Sequence, residues 1–343
     1  MFSPLFVTVF ALKLDSARFI VDSIICTWFG LAMAMFEIVY GVKVKIIGDV
    51  SKIDPNVSSL IVLNHRTRLD WLFYASVQCR YGSLRRFKIS LKDMLRHAPG
   101  AGWAMQAAHF LFLTRNWEKD EGRIDSFMTY FKTAGTNPQL LLFPEGTDLQ
   151  PESLMKSKNF AKKNDLPEYH HVLHPRTTGF SNLIKSMQNH NDLKQVIDAT
   201  IAYPVNVCQD ENGLLAGDLP EEIVFKINCY DIAQIDTSSD KTISDWLSAQ
   251  WKEKEHFLSS FYQNKGYIDN RSNGLTRNIN NEIERSTRVT CIACLGWWIT
   301  LSTITCWWLA VSNLWFWTFW CLVAVNTALS SFVGFERLLG TIL

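Results

Sequence analysis

Short apolar runs alternate with amphipathic segments along residues 42–257, and this pattern predicts strands and helices in turn. Several of the apolar runs are continuous, which is typical of strands buried on both faces. The predicted strands are 42–47, 59–63, 110–113, 140–143, 172–173, 200–205 and 223–230, and the predicted helices are 69–80, 118–132, 179–187 and 242–257. Such alternation predicts an α/β domain with a mixed sheet flanked by helices.

The uncharged stretch at residues 98–108 does not have the pattern of a membrane span. Pro99, Gly100 and Gly102 interrupt it, and these residue types weaken a continuous helix. We expect a short surface helix there, followed by the core strand at 110–113.

The C-terminal part of the chain carries no Asp, Glu, Lys, Arg or His from residue 289 to residue 335. One helical crossing of a bilayer takes about 20 apolar residues, so this run is long enough for two. A polar pair at 312–313 divides it, and we expect a hairpin of two transmembrane helices, over 289–311 and 314–333. Basic residues favour the cytosolic side of a membrane, which places both ends of the hairpin in the cytosol. The flanking arginines are Arg277, Arg285, Arg288 and Arg337.

The N-terminal segment predicts a second attachment to the membrane. Residues 1–12 are apolar but short, whereas residues 19–40 are long enough to span yet contain Asp22 and Glu37. A cleaved signal peptide needs basic residues first and small residues at a cleavage site, and neither is evident. We expect a retained anchor, either one span or two helices embedded in one leaflet, with its orientation undecided.

These patterns divide the chain into five parts. They are an N-terminal membrane anchor at 1–41, an α/β catalytic domain at 42–257, a polar linker at 258–288, two transmembrane helices at 289–335 and a short tail at 336–343.

Composition excludes several classes of partner. The formal net charge of +1 argues against binding to nucleic acid, which needs an excess of basic residues on one face. Cys291 and Cys294 form a Cys-x-x-Cys pair, but no second pair or histidine follows at zinc-site spacing. A histidine cluster at 170–174 likewise lacks the carboxylate of a zinc enzyme, so we expect no metal.

His65 and Asp70 are the first candidates for catalysis, because they follow the apolar run 59–63 and precede or begin a predicted helix. Ligands of α/β proteins bind at this end of the strands. Five residues along a helix turn about 500°, so the two side chains cannot meet on one helical face. They can meet if His65 lies in the turn before the helix and Asp70 in its first turns. Asp70 would then orient the imidazole, whose other nitrogen would take a proton from a hydroxyl.

The sequence Phe-Pro-Glu-Gly-Thr at 143–147 predicts a tight turn after another apolar strand. Proline ends the strand, and glycine permits a turn that a side chain would obstruct. We expect Glu145 to be exposed and to accept hydrogen bonds from a substrate hydroxyl. The amides of Gly146 and Thr147 could bind phosphate.

Arg115 follows a third apolar run, so it should emerge at the same edge, where it could clamp a phosphate. Each candidate also has a purely structural interpretation. His65 and Asp70 could end a strand and cap a helix, the 143–147 turn could be an ordinary one, and Arg115 could form a surface ion pair. Two motifs that both follow buried strands favour the catalytic interpretation.

The chain contains no Gly-x-Ser-x-Gly elbow, no P-loop and no dinucleotide fingerprint. These absences argue against serine lipases, nucleoside triphosphatases and dehydrogenases. The two motifs together favour acyl transfer to a hydroxyl.

These motifs resemble those of the membrane-bound glycerolipid acyltransferases, the 1-acyl-sn-glycerol-3-phosphate acyltransferase family. Asn64, His65 and Asp70 match the family's first motif, and 143–147 matches its third. The second motif is matched in part, by Phe112, Leu113 and Arg115, with His109 where glycine is usual. The fourth motif, an apolar strand ending in proline, is matched at 172–175.

Within this family the chain is most similar to the lysocardiolipin and lysophosphatidylinositol acyltransferase branch. The similar segments are 64–71, 102–108, 143–148 and 172–180. Asp148 stands where enzymes that act on lysophosphatidic acid commonly have Arg. An acid at that position implies an acceptor with a larger headgroup.

The resemblance implies acyl-CoA-dependent transfer of a fatty acyl chain to the free hydroxyl of a lysophospholipid. Lysophosphatidylinositol or lysocardiolipin is the favoured acceptor, and lysophosphatidic acid is a further one. His65 would be the base and Asp70 its orienting partner. The residues implied to position the acceptor are Arg115, Glu145, Gly146 and Thr147.

The resemblance also implies that no cofactor is needed, since acyl-CoA is a co-substrate. It implies an integral membrane protein, in the endoplasmic reticulum, whose catalytic domain faces the cytosol among membrane lipids. Two alternatives stay open: a membrane-bound lipid hydrolase or CoA-independent transacylase with the same dyad, and a non-catalytic lipid-binding protein.

Overall fold

A mixed sheet lies at the centre of the fold, and within the described residues it has seven strands in the order β1-β7-β6-β2-β5-β3-β4. The strands are β1 Lys43–Gly48, β2 Ser58–Leu63, β3 Phe87–Lys92, β4 Leu111–Leu113, β5 Gln139–Leu142, β6 Leu193–Ala202 and β7 Glu222–Asp231. All neighbours pair parallel except β6 and β7. The computed structural model of the protein describes residues 14–98, 100–114, 116–190, 193–264, 266, 281–311 and 313–328.

Helices cover both faces of this sheet. They are α1 Leu14–Met33, α2 Asp70–Tyr81, α3 Ala101–Ala107, α4 Trp117–Thr133, α5 Pro151–Lys163, α6 Thr177–Asn189, α7 Glu211–Ala216, α8 Asp240–Gln263, α9 Asn281–Val311 and α10 Asn313–Ala328. Shorter helical turns are the π-helical Ala34–Val39 and the 3₁₀ turns Val50–Lys52, Asp93–His97 and Ile232–Gln234. Helices α1 and α2 pack on one face of the sheet, and α4, α6 and α8 pack on the other.

The predicted α/β class is confirmed, and the central strands are buried on both faces as expected. In β2, Ile61 and Leu63 pack into one layer while Leu60 and Val62 pack into the other. This division follows from the two-residue period of a strand. The short helix and strand expected after residue 98 are also present, as α3 and β4.

The predicted strand at 172–173 is wrong. Val172 and Leu173 are buried, but they lie in a bend, and the Val172 amide donates to Glu255 Oε2 at 3.2 Å instead of to a neighbouring strand. Two consecutive apolar residues indicate burial, but they do not indicate which group the backbone amides bond to. The strand predicted at 200–205 is the end of β6, which begins at Leu193 and ends before Pro204.

Helix α1 finishes the hydrophobic core on its face of the sheet, where Phe29 and Phe36 are fully enclosed. Its acidic residue Asp22 is buried because Arg18 Nη2 lies 2.5 Å and Lys88 Nζ 2.7 Å from Asp22 Oδ1. Arg18 also donates to the Ala107 carbonyl at 3.0 Å. A buried charge needs such partners, and these fix the helix against β3 and α3.

Two helices among the described residues are long and apolar enough to cross a membrane, at 18–39 and Asn281–Val311. The first is 44% buried inside the protein over its apolar window, and the second only 17%. Helix α9 begins eight residues before the predicted position 289, because the polar residues 281–288 extend it, and α10 follows at Asn313–Ala328.

One guanidinium connects both apolar helices to α2. Arg80 donates to Glu37 Oε1 and Oε2 at 3.0 and 2.7 Å, and to Glu284 Oε1 and Oε2 at 2.8 and 2.9 Å. The Arg80 side chain is only 4% exposed. Helix α2 begins at Asp70, so the candidate catalytic carboxylate and both apolar helices belong to one packed unit.

Candidate active site

The two sequence motifs emerge side by side, because β2 and β5 are parallel neighbours with Val62 opposite Leu142. The His65 amide donates to Glu145 Oε1 at 3.3 Å, which joins the two turns directly. The Leu149 amide donates to the His65 carbonyl at 2.8 Å on the other side of the same crossing. The expectation that both motifs lie at one edge of the sheet is therefore confirmed.

His65 and Asp70 are in contact, with Nδ1 of the imidazole 3.1 Å from Asp70 Oδ2. His65 lies in the turn after β2, and helix α2 begins at Asp70 itself. This is the geometry that the five-residue spacing requires. Because the Asp70 carboxylate accepts, the contact places the proton on Nδ1 and leaves a lone pair on Nε2.

Asp70 is held from several sides. The Thr67 amide donates to Oδ2 at 2.9 Å, while the Thr67 hydroxyl and the Tyr203 hydroxyl donate to Oδ1 at 3.1 and 2.7 Å. Burial, together with the charge of Asp70, raises the pKa of Tyr203 well above its ordinary value, so this hydroxyl keeps its proton and donates. A fully buried carboxylate with this many donors has one orientation. The bond from His65 to this carboxylate therefore fixes the orientation of the imidazole.

The next strand fixes the start of the motif. Asn64 donates to the Ile201 carbonyl at 3.2 Å and accepts from the Ile201 amide at 2.8 Å. This side-chain pair continues the β2–β6 ladder by one step beyond Leu63. Asn64 thus sets where the chain leaves the sheet before His65.

The imidazole of His65 stacks on the Phe143 ring with centroids 4.1 Å apart. The side chain of His65 is 17% exposed, and its Nε2 has no hydrogen-bond partner among the described residues. The ring is therefore fixed at one nitrogen and on one face, while the other nitrogen is open to a reactant. This arrangement fits a general base.

Glu145 is buried, contrary to the exposure expected from the sequence. It is 3% exposed, and Oε1 accepts from Trp251 Nε1 at 3.2 Å as well as from the His65 amide. Burial raises its pKa to about 8, although hydrogen bonds from the Leu173 and His65 amides and from Trp251 lower it. The Glu145 carboxyl group joins the two turns, because it follows Pro144 in one turn and accepts from the His65 amide in the other.

Gly146 adopts φ +75°, in the left-handed region that glycine favours. Its amide donates to the Phe143 carbonyl at 3.0 Å, which closes the turn. Thr147 donates to Asp148 Oδ1 at 3.3 Å, and Gln150 donates to Oδ2 at 2.9 Å. Burial alone would raise the pKa of Asp148, but hydrogen bonds from Gln150 and the backbone and the positive charge of Arg68 hold it below its ordinary value.

Arg115 lies outside the described residues, so its predicted place at this edge stays a prediction. His109, six residues earlier, adopts φ +55° and stacks on Tyr130 at 3.8 Å. A left-handed backbone explains why glycine is usual at this position of the second motif. In the histidine cluster, His174 stacks on Tyr169 at 4.3 Å and its Nε2 contacts the Pro167 carbonyl at 3.0 Å.

Two side chains that complete the centre were not predicted as site residues, namely Tyr203 and Trp251. Tyr203 follows the end of β6, and the apolar run before it was a usable signal. Trp251 lies in the middle of α8, where a sequence offers nothing to distinguish it from core packing. The contacts of both residues depend on how distant elements meet.

Comparisons with known proteins match most of the chain. A family model described as "Acyltransferase" matches residues 43–203, and one described as "Acyltransferase C-terminus" matches residues 213–292. The two matches together include the whole candidate site, with Trp251 in the second.

Several curated proteins are similar to this chain. "Lysocardiolipin acyltransferase 1" of Gallus gallus is 41% identical over 280 residues, which are 82% of this chain and 73% of that protein. "Lysophosphatidylinositol acyltransferase 10" of Caenorhabditis elegans is 40% identical over 74% of this chain and 64% of its own length. "Probable 1-acyl-sn-glycerol-3-phosphate acyltransferase 5" of Arabidopsis thaliana is 32% identical over 84% and 74%.

A crystal structure of the 1-acyl-sn-glycerophosphate acyltransferase from Thermotoga maritima aligns with a TM-score of 0.46 at 13% identity, over 75% of this chain and 87% of that one.

Proposed function

The chain belongs to the glycerolipid acyltransferases, a family of O-acyltransferases, and we propose that it transfers an acyl chain from acyl-CoA to the free hydroxyl of a lysophospholipid. The observation that carries this proposal is the His65–Asp70 pair, whose Nδ1–Oδ2 contact leaves Nε2 open beside the end of β2. A base of this kind activates a hydroxyl.

In the reaction, one proton passes from the acceptor hydroxyl to His65 and from His65 to the thiolate of CoA. Nε2 of His65 takes the proton from the acceptor hydroxyl as its oxygen attacks the thioester carbonyl, and the imidazolium is stabilised by Asp70. The new C–O ester bond forms and the C–S bond breaks. The departing thiolate then takes the proton from Nε2, which yields free CoA and the diacyl phospholipid.

The acceptor is a lysophospholipid with a headgroup larger than a bare phosphate. Asp148 supports this, since it places a carboxylate two residues after Gly146, where a compact phosphate dianion would be repelled. We propose lysophosphatidylinositol or lysocardiolipin, in agreement with the similarity to a lysocardiolipin acyltransferase and a lysophosphatidylinositol acyltransferase.

The site works at a membrane surface. Two helices with the length and composition of membrane spans support association with a bilayer, and both contact α2 through Arg80. We propose the endoplasmic reticulum, with the catalytic domain in the cytosol where CoA is soluble.

The proposal is tested with the purified full chain in phospholipid vesicles, supplied with radiolabelled acyl-CoA with and without lysophosphatidylinositol. Equal amounts of diacyl product and CoA are expected only with the acceptor. His65→Ala should reduce this rate at least about a hundredfold. Release of fatty acid without an acceptor would indicate a hydrolase instead, and full activity of His65→Ala would remove the assigned base.

A further inference from the structure

An arginine outside the predicted site, Arg176, lies against the 143–147 turn. A methyl group placed on Gly146 would lie 3.4 Å from Arg176 Nε, 3.5 Å from Cδ and 3.7 Å from Cζ. The Arg176 side chain therefore extends along Gly146 within van der Waals contact. Glycine leaves room for the guanidinium at this turn.

The backbone around Arg176 is held at several points. The Arg176 amide donates to the Pro144 carbonyl at 2.8 Å, and the His174 amide donates to Ser157 Oγ at 3.0 Å. We call residues 170–176 the strap, since this segment crosses the 143–147 turn and is tied to it.

A buried carboxylate anchors the other end of the strap. Glu255 on α8 accepts from the His170 amide at 2.8 Å, the His171 amide at 2.9 Å and the Val172 amide at 3.2 Å. Glu255 is only 9% exposed. Three charge-assisted bonds to successive amides are a strong restraint, so the strap and Arg176 have a defined position.

The charge of Arg176 is not neutralised within the described residues. Arg176 is exposed to solvent, and among the described residues its guanidinium has no carboxylate within ion-pair distance and donates no side-chain hydrogen bond. The 143–147 turn therefore has beside it a guanidinium that contacts Gly146 and has no carboxylate partner among the described residues.

We propose that Arg176 binds a phosphate group of a bound substrate, an inference that rests on the proposed function of this site. A guanidinium binds phosphate through two parallel N–H···O bonds. The acceptor is the expected source, because Arg176 lies against the 143–147 turn, which is bonded to His65. The phosphates of acyl-CoA share the same chemistry and form the second arm of the test.

Glu255 is a positioning residue for this contact. It reaches no substrate atom in this assignment and acts through the amides of the strap. Its removal would leave Arg176 charged but unfixed, so the phosphate bond would lose its preorganisation.

Equilibrium binding to the full chain in detergent micelles tests the proposal, with native mass spectrometry as the readout. The probes are lysophosphatidylinositol, a monoacylglycerol with the same acyl chain and no phosphate, and acyl-CoA. Arg176→Gln should weaken lysophosphatidylinositol binding at least about tenfold and leave monoacylglycerol binding unchanged. Arg176→Lys should lie between, since it keeps the charge but loses the bidentate geometry.

Lys52→Gln is the matched control, because it removes one exposed cation beyond β1, at the opposite edge of the sheet. It should bind every probe as the wild type does. Weakened binding of acyl-CoA alone would assign the phosphate to the donor. Unchanged binding of both phosphate-bearing ligands to Arg176→Gln would overturn the proposal.

Glu255→Gln distinguishes positioning from general stability. In a protein that melts as the wild type does, it should weaken lysophosphatidylinositol binding, and it should add little in combination with Arg176→Gln. Full additivity would remove the positioning role. Binding needs no turnover, so the phosphate site and the proposed function can fail separately. If the wild type transfers no acyl group but Arg176→Gln still loses phosphate-dependent binding, the proposed function is overturned and the phosphate site stands.

Discussion

The Tyr203 hydroxyl donates to Asp70 Oδ1 at 2.7 Å, while His65 Nδ1 lies 3.1 Å from the other oxygen of the same carboxylate. One side chain from the end of β6 and one from the end of β2 therefore meet on the first residue of α2. The orientation of the base depends on a strand that carries no part of the two motifs.

Tyr203→Phe should keep the fold and lower kcat. The ring stays in its buried site, but Asp70 loses one of its donors and the imidazole is held less firmly. We expect kcat to fall about tenfold, the equivalent of about 1.4 kcal/mol, with a smaller change in KM. Steady-state acyl transfer measures both constants. Tyr230→Phe, which removes a hydroxyl bonded to Gln250 away from the site, is the control, and an equal loss in both variants would contradict the assignment.

Asp148→Arg should change the preference among acceptors. The substitution removes an acid and adds a cation beside Gly146, which favours a compact phosphate dianion. We expect the ratio of kcat/KM for lysophosphatidic acid to that for lysophosphatidylinositol to rise about tenfold, which is the effect of a single charged contact. Asp148→Asn separates loss of the acid from gain of the cation. An unchanged ratio in both variants would show that Asp148 does not face the headgroup.

Glu145→Gln should remove a pH dependence of stability. Burial raises the pKa of Glu145 to about 8, above its value in the unfolded chain, so the folded state binds the proton more tightly. This contribution to stability is complete below the unfolded pKa and is lost as pH rises through about 8.

Thermal unfolding between about pH 5 and pH 8.5 measures this effect. The free energy of unfolding of the wild type should fall by up to about 1.4 kcal/mol per pH unit from this group, whereas Glu145→Gln should lack that slope. Parallel curves for the two proteins would show that Glu145 is ionised in the folded state.

Arg80→Ala should destabilise the whole described body, because Glu37 would keep a largely buried charge without its partner. Loss of one partner of a buried ion pair costs about 3–5 kcal/mol. We expect the melting temperature in detergent to fall by on the order of 10 °C. Glu284→Ala removes the more exposed of the two carboxylates, so its effect should be much smaller. Equal melting temperatures for Arg80→Ala and the wild type would contradict the connecting role.

Strand β3 and the first half of β6 could not be predicted from the sequence, because polar residues interrupt their apolar pattern. The residues of β3 read Phe-Lys-Ile-Ser-Leu-Lys, which lowers the apolar signal, yet Lys88 is buried because Asp22 lies 2.7 Å away. The first half of β6 was missed for the same reason, since Asp198 is buried against Lys254 Nζ at 2.6 Å. Such partners come from distant segments, so a local pattern does not reveal them.

The dyad was predictable because chain geometry restricts it. A spacing of five excludes a shared helical face, which leaves only a turn followed by a helix that begins near Asp70. The prediction for Glu145 was wrong, because the sequence shows a carboxyl group after a proline but does not show that the Trp251 indole donates to it. The spacing along the chain determines how two neighbouring residues can meet. The burial of a carboxyl group depends instead on donors from distant segments of the chain.

The partial burial of the 18–39 helix has a practical consequence for producing this enzyme. A fragment that starts at residue 42 would leave open the core layer that Phe29 and Phe36 close, together with an unpaired Lys88. Such a fragment should aggregate in water, since exposed apolar surface of this extent promotes association. The helix with the composition of a membrane span is also part of the hydrophobic core, so its removal should not yield a soluble domain.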